Sequence, residues 1–236
     1  MGPTGYPAEL SVAWRQRTWL PVDPSRSDVL IAHPPLDGAL GAVADFTDLK
    51  SPFFRGHSSG VAELAAAAAG AAGLSGVEAA EIGRAALVHD VGRVGIPSGV
   101  SDRPGPLNTD QWERVRLHPY LSERVLHRCA LLGPFAVLAG SHHERGDGSG
   151  YHRGSSGEQL PLGARVLAAA DAYHAMGEDR PHRPALTPND AASQLLDEVD
   201  AGRFGRPEVD AVLDVAGQAG RPPRVERPAG LTEREV

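Results

Sequence analysis

The stretch that decides the fold class reads, from residue 141 to 151, Ser-His-His-Glu-Arg-Gly-Asp-Gly-Ser-Gly-Tyr. It joins two adjacent imidazoles, His142 and His143, to a glycine-rich loop. The preceding residues, 135–142, have a helical pattern, so the pair lies where a helix gives way to a loop. A lone histidine is more often a structural residue than a ligand, but paired imidazoles at such a junction are candidate metal ligands.

Two aspartates lie in apolar surroundings that an unpaired charge would not tolerate. Asp90 follows His89 at the end of the apolar run 85–88, and Asp171 lies within the apolar run 166–172. A buried ionised carboxylate is costly unless a cation pairs with it. Because adjacent helical residues point about 100° apart, Asp90 can lie between two ions while His89 serves one. The alternative for Asp171 is a hydrogen-bonded core aspartate.

Helical patterns recur along the chain, and no stretch alternates apolar and polar residues long enough to predict a sheet. The alanine-rich run 61–72 has strong helix propensity. Further helices are predicted over residues 77–91, 109–117, 122–132, 135–142, 163–176 and 188–201. The sequence therefore predicts an all-α protein.

Length and composition set broad limits on the class of protein. The chain has 236 residues, enough for one sizeable core, and its net charge of -7 argues against broad electrostatic binding to nucleic acid or to an anionic membrane. Cys129 is the only cysteine, which excludes an intramolecular disulfide and thiolate zinc sites. Without a leader-like or membrane-spanning segment in the sequence, we expect a cytoplasmic protein.

Four spaced motifs resemble, in order, the patterns H-D-x-G-K, H-P-x-x-G, H-H-E-x-x-D-G-x-G-Y-P and A-D-x-Y-D-A of the HD-GYP family. Here they fall at residues 89–93, 118–122, 142–152 and 170–175, and the resemblance runs from about residue 44 to 217. It implies an all-α, HD-domain helical bundle of the HD-GYP type.

The resemblance also implies a binuclear metal centre, with Asp90 bridging the two ions. The ligands carried over for one ion are His57, His89, Asp90 and Asp171, and those for the other are Asp90, His118, His142 and His143. Imidazole and carboxylate ligands suit first-row ions, and the family favours iron or manganese. Some relatives hold a third ion with a glutamate four positions before the first histidine. Phe53 stands there, so two ions are predicted.

The implied activity is metal-dependent phosphodiester hydrolysis, with cyclic di-GMP as the family's usual substrate. Two ions lower the pKa of bound water to roughly 7, so a bridging hydroxide is the expected nucleophile. Asp90 and Arg93 are the predicted catalytic residues. The predicted substrate-binding residues are Arg93, Gly150, Tyr151, Arg180 and Arg183, the two last because an arginine fork pairs with phosphate oxygens.

Three departures from the family patterns fall at positions interpreted as facing the substrate. Arg93 replaces a lysine, Ser122 a glycine and His152 a proline. Arginine keeps the charge but loses a compact ammonium that can donate a proton, so phosphate binding should survive better than rate. The alternative function is a sensor of nucleotide or metal with weak or no turnover.

Three regions are predicted. Residues 1–45 are interpreted as an extension or the remnant of an upstream region, too interrupted by proline for long regular elements. Residues 46–220 form the phosphohydrolase domain. Residues 221–236 are a linker and the start of a truncated helix-turn-helix domain, because 231–235 match the L-T-x-R-E opening of the LuxR type. DNA would then be bound only by the missing domain, and relatives make a homodimer plausible.

Overall fold

Ten α-helices, joined by short 3-10 turns, make up the described part of the chain, which is residues 34–218 of a computed structural model. Within that range there is no strand, and the single β-bridge pairs Arg180 with Arg183. The predicted all-α class is confirmed. The helices are α1 (Pro34–Asp48), α2 (His57–Ala71), α3 (Gly76–Leu87), α4 (Ser98–Ser101), α5 (Thr109–Arg116), α6 (His118–Leu126), α7 (Gly133–Gly140), α8 (Leu162–Met176), α9 (Pro188–Asp200) and α10 (Arg206–Val215).

Helix α2 occupies the centre of the bundle because its side chains are small. Ala65, Ala68 and Ala69 have no solvent exposure. α2 packs against α1, α3, α8 and α10. Alanine combines the highest helix propensity with the smallest apolar side chain, so neighbouring helices approach α2 closely without breaking it.

Helix α8 is buried over most of its circumference. Val166, Leu167, Ala169 and Ala170 are fully buried, and α8 contacts α2, α3, α7, α9 and α10. A helix that is apolar on all sides needs neighbours on all sides. Asp171 therefore lies on a helix whose position several others determine.

Two helix positions differ from prediction for reasons of local chemistry. α6 begins at His118 rather than at residue 122, because Pro119 falls in its first turn, where no backbone N–H donor is needed. α10 was not predicted. Its start combines Pro207 with Glu208, whose carboxylate accepts a hydrogen bond from the Gly205 amide at 3.1 Å.

The prediction that residues 1–45 hold no long regular element is wrong for their last part. α1 begins at Pro34 and buries Leu36, Leu40 and Ala44 in the core shared with α2 and α3. Prolines in a first turn fit a helix start. Residues 1–33 and 219–236, including the helix-turn-helix match at 231–235, lie outside the described residues. No described helix is long and apolar enough to cross a membrane.

We expect Leu167→Ala to destabilise the bundle. Leu167 is fully buried on α8, and truncating a buried leucine costs about 2–5 kcal/mol through lost burial and the cavity left behind. Urea unfolding of chelator-treated protein measures this cost. Leu49→Ala, at a side chain that is 74% exposed, should change the free energy of unfolding by less than about 0.5 kcal/mol. Equal effects of the two variants would contradict the described core.

Candidate metal centre

The structure brings all seven predicted ligand side chains to one place in the core. Six are buried, and His143 is partly buried. Their nitrogen and oxygen atoms form overlapping groups in which all atoms of a group lie within 4.8 Å of one another. These groups are His57, His89 and Asp171; His89, Asp90 and His142; and His118, His142 and His143.

Three of the histidines are oriented by the same local arrangement at a helix end. His89, His118 and His142 each lie two residues beyond the last residue of α3, α5 and α7, respectively. Each Nδ1 contacts the carbonyl oxygen three residues earlier, at 2.6, 2.7 and 2.5 Å. Carbonyls in the last turn lack a helical partner, so the ring satisfies one of them by donating from Nδ1. Nε2 then carries no proton, and its lone pair points into the core.

Asp90 lies between two halves of this cluster. Its Oδ1 faces His118 Nε2 at 3.2 Å and His142 Nε2 at 3.5 Å. Its Oδ2 faces His89 Nε2 at 3.6 Å and His57 Nε2 at 3.9 Å. The two oxygens of one carboxylate thus address two different sets of nitrogen atoms, which is the arrangement of a bridging ligand.

Several buried atoms in the cluster have unmet bonding capacity that fits divalent cations. His89 Nε2, Asp90 Oδ1 and His143 Nε2 have no hydrogen-bond partner. His118 Nε2 and His142 Nε2 are 3.0 Å apart. Since both rings donate from Nδ1, an assignment that rests on the hydrogen-bond network, two lone pairs face each other. A cation bound by both removes this repulsion, and imidazole with carboxylate suits first-row ions.

The electrostatics divide the cluster into a half of neutral imidazoles and a half in which ionised carboxylates are paired with cations. Burial lowers the pKa of His118 to about 3 and that of His143 well below its ordinary value. These rings are therefore neutral at pH 7. Burial alone would raise the pKa of Asp90 and Asp171. Arg93 and His89 beside Asp90, and the hydrogen bond from His57 together with the nearby His89 ring at Asp171, instead hold the pKa of both carboxyls well below the usual range.

His57 is the histidine most strongly tied to carboxylates. Burial favours its neutral form, but hydrogen bonds to Asp171 and Glu178 raise its pKa to about 9. The Nε2–Asp171 Oδ1 distance is 3.1 Å, and the Nδ1–Glu178 Oε2 distance is 2.8 Å. His57 must release one proton to become a ligand, so metal affinity at this half falls as the pH falls.

The last residue of α1 caps the start of α2, whose first residue is His57. Gly56 precedes it with φ of 77° and offers no side-chain cap. The buried carboxylate of Asp48 accepts instead from the Ser58 amide at 3.0 Å and the Ser58 hydroxyl at 2.6 Å. Asp48 therefore caps α2 from a neighbouring helix and fixes the position of His57.

One departure from the family patterns has a structural explanation. Ser122 is fully buried, and its Oγ accepts a hydrogen bond from the Gly92 amide at 2.9 Å. A Cβ atom on Gly92 would lie 2.1 Å from the His118 carbonyl oxygen. The interpretation of Ser122 as substrate-facing is wrong, because it joins α6 to the turn that follows Asp90.

The glycine-rich loop supports His143. Glu144 is buried and accepts hydrogen bonds from the amides of Arg153 and Ser155 at 2.7 and 2.8 Å, which closes the loop on itself. A Cβ on Gly150 would lie 2.4 Å from the Arg145 amide nitrogen, so only glycine fits. The Tyr151 ring stacks on His143 with centroids 4.7 Å apart. The substrate roles predicted for Gly150 and Tyr151 stay predictions.

The three predicted arginines have different surroundings. Arg93 donates to Asp90 Oδ2, with its guanidinium 4.7 Å from the Phe54 ring centroid. Arg180 lies 4.6 Å from the same centroid and donates to Glu178 Oε2. Arg183 donates to the Ala175 carbonyl at 2.7 Å and so caps the C-terminus of α8. Its substrate role stays a prediction.

Sequence reasoning missed the side chains around His57. Glu178 and Phe54 contact His57 directly, and His174 Nδ1 lies 3.5 Å from Glu178 Oε1. The available signal was the spacing of His174 and Glu178, which are four residues apart. In a continuous helix this spacing would put both residues on one face, but α8 ends at Met176 and the spacing does not show which other element they meet.

The sequence and the fold are similar to those of known proteins. A family model described as HD domain matches residues 41–207. The chain is 36% identical over 172 residues to 3'3'-cGAMP-specific phosphodiesterase 3 of Vibrio cholerae, covering 71% of this chain and 37% of that protein. It is 39% identical over 134 residues to the cyclic di-GMP phosphodiesterase response regulator RpfG of Xanthomonas campestris, covering 55% of this chain and 34% of that protein. The chain thus spans little more than a third of the length of these relatives.

Among solved structures, the fold is similar to Bd1817, a HDG"Y"P protein from Bdellovibrio bacteriovorus. The TM-score is 0.59 at 15% sequence identity, covering 77% of this chain and 63% of that chain. This likeness concerns the fold alone, and it confirms the predicted HD-type helical bundle. Because the HD domain model matches most of the chain, including every candidate ligand from His57 to Asp171, the chain belongs to the HD domain family.

Proposed function

We propose that this chain is an HD-GYP-type, metal-dependent phosphodiesterase that hydrolyses a cyclic dinucleotide. The observation that carries the proposal is the position of Asp90, whose two oxygens address two separate groups of ligand nitrogens. Relatives named as cyclic GMP-AMP and cyclic di-GMP phosphodiesterases support this substrate class. Cyclic di-GMP is the substrate that we expect.

We assign the centre two divalent ions, iron or manganese. His57, His89, Asp90 and Asp171 would hold one, and Asp90, His118, His142 and His143 the other. The pair of ions supplies an activated water and charge stabilisation at the phosphate. The buried side chains exclude bulk solvent from the ligand cluster, which strengthens each electrostatic interaction there.

Arginines at both ends of the ligand cluster supply positive charge for a phosphodiester. At one end, Arg93 lies over Phe54, whose ring is 6.3 Å from that of His57. At the other, Arg116 lies 5.1 Å from the centroid of Tyr151, which stacks on His143. The Arg93 side chain keeps 16% of its exposure and that of Arg116 keeps 43%. Both are within reach of a ligand that approaches from solvent.

One observation favours the sensor as a second candidate function. Arg93, which replaces the lysine of the family pattern, donates to the Asp90 oxygen that faces His57 and His89. A guanidinium on a bridging carboxylate competes with a metal ion for that oxygen. It also remains charged throughout the neutral range, so it is a poor proton donor. Both effects slow turnover without removing ligand binding.

The wider context of the chain also remains a prediction. We propose a cytoplasmic protein that acts as the input part of a LuxR-type regulator, with DNA contacts made by a domain beyond residue 236. The support is the 231–235 match, which lies outside the described residues. Dimer formation rests on the family resemblance alone.

The proposal is tested by incubating manganese- or iron-loaded protein with cyclic di-GMP, cyclic GMP-AMP and a chromogenic phosphodiester. Linear dinucleotide or mononucleotide products, followed by chromatography, are expected from the first two. Tight binding without product under all metal conditions would exclude the enzyme and favour the sensor. Metal-free preparations that retain full activity would exclude the metal centre.

We expect Asp90→Asn to abolish turnover and reduce the metal content below two ions per chain. An amide offers one neutral oxygen in place of two anionic ones, so it cannot serve both halves. Loss of a shared ligand should lower turnover by at least roughly 100-fold. Metal analysis and the cyclic dinucleotide assay measure both effects. Asp214→Asn, at an exposed position on α10, is the control and should behave as wild type.

We expect Arg93→Lys to raise kcat by roughly threefold or more with little change in KM, because an ammonium can leave Asp90 and donate a proton. Arg93→Gln, which removes the charge, should instead raise KM. Steady-state kinetics with the cyclic dinucleotide distinguish the two variants. A fall in kcat for Arg93→Lys would show that the arginine is the better residue in this site.

A further inference from the structure

His57 is oriented differently from the ligand histidines that follow helix ends. Those rings direct Nδ1 to a backbone carbonyl in the last turn of the preceding helix. His57 follows Gly56 and the short 3-10 turn Pro52–Phe54 rather than the end of an α-helix. Its Nδ1 instead meets a carboxylate oxygen of Glu178, 121 residues later in the chain, at 2.8 Å.

The Glu178 carboxylate is itself held by fixed partners. Arg180 Nη2 donates to Oε2 at 2.7 Å, and the same guanidinium donates to the Phe53 carbonyl at 2.8 Å. The Phe54 ring packs against one face of the Arg180 guanidinium. The Glu178 side chain retains only 18% of its exposure. A carboxylate restrained in this way can determine the orientation and the tautomer of the imidazole that it contacts.

We infer that Glu178 is a positioning residue of the metal centre, which accepts a hydrogen bond from the Nδ1–H of His57 and so presents Nε2 as the ligand atom beside Asp171. The inference rests on the proposed metal-dependent function. It explains why Nε2 faces Asp171 at 3.1 Å and Asp90 at 3.9 Å while Nδ1 faces away from the cluster. It also gives the 178–180 segment a role other than phosphate binding.

The same side chains could in principle form a third cation site, since His57, His174 and Glu178 also lie within 4.8 Å of one another. Two features oppose that reading. An ion there would need Nδ1 of His57 while Nε2 serves the main centre, so the ring would have to lose both protons. The Arg180 guanidinium also occupies Glu178 Oε2 and repels a cation at that oxygen.

His174 has a simpler role beside this pair. A Cβ atom on Gly60 would lie 2.0 Å from His174 Nε2, so the ring packs against the α2 backbone one turn after His57. Its Nδ1 lies 3.5 Å from Glu178 Oε1. The family pattern has an aspartate where His174 stands, whereas this chain has the carboxylate of Glu178 four residues later, beyond the end of α8.

The test compares metal binding by wild type and Glu178→Gln in chelator competition with Mn²⁺. The amide keeps the shape of the side chain but removes its charge. We expect the affinity for one of the two ions to fall by about 10- to 100-fold, with the second ion unaffected, because only His57 depends on Glu178. His57→Gln should lose that ion altogether.

Two further measurements separate a positioning role from a merely structural one. Glu198→Gln removes another largely buried carboxylate that is paired with an arginine, Arg203, but belongs to no ligand group. It should bind both ions as wild type does. Nitrogen NMR of zinc-loaded wild type should show a protonated Nδ1 on His57, whose signal shifts in Glu178→Gln. Glu178→Asp has a side chain one methylene shorter. On a logarithmic scale, its metal affinity should lie closer to that of Glu178→Gln than to that of wild type.

The outcomes distinguish this inference from the proposed function. Wild type that binds no ion overturns both. Two ions bound with unchanged affinities by Glu178→Gln overturn the inference and leave the proposed function intact. Three ions per wild-type chain, reduced to two by His174→Ala, also overturn it, because Nδ1 of His57 would then be a ligand atom. Selective weakening of one ion in Glu178→Gln, with Glu198→Gln unaffected, supports it.

Discussion

Asp90 is a charged carboxylate almost without solvent exposure, and the rest of the structure is arranged around the need to balance it. Arg93 pairs with one oxygen, and imidazoles from four separate segments face the carboxylate. Burying such a charge costs several kcal/mol unless cations or donors surround it. Asp171, on α8, is a second buried carboxylate whose charge must be balanced. The bundle therefore carries a cluster of carboxylates and imidazoles at its centre, which are ligand types that suit divalent first-row ions.

The fold provides rigid positions for these groups by using helix ends. The last turns of α3, α5 and α7 each leave carbonyls without helical partners, and the ring of His89, His118 or His142 takes up one of them. Anchoring Nδ1 in this way fixes the position of the other ring nitrogen, Nε2, relative to the helix that precedes the histidine. Packing of α7 against α3 and α6 then brings these helix ends together, while the alanine-rich α2 packs against α3 and α8.

The His57 side of the centre is built by other means. Asp48 caps the start of α2 through Ser58, and Glu178 contacts the His57 ring from beyond the end of α8. These contacts join parts of the chain that are far apart in sequence. On this side, Arg93 and His174 differ from the residue types of the family patterns, whereas the seven candidate ligands are all present. The loop closed by Glu144 has a comparable role for His143 on the opposite side.

By itself, the sequence determined the helical class and most helix positions, because helix periodicity is a local property. The seven candidate ligands came from the resemblance of its motifs to the HD-GYP patterns. The sequence did not show that α1 completes the core, that Ser122 is buried against Gly92, or that Arg183 caps α8. Nor did it show the pairing of Glu178 with His57. Only the tertiary structure decided these, since each depends on contacts between distant segments, whose relative positions are set by the packing of whole helices.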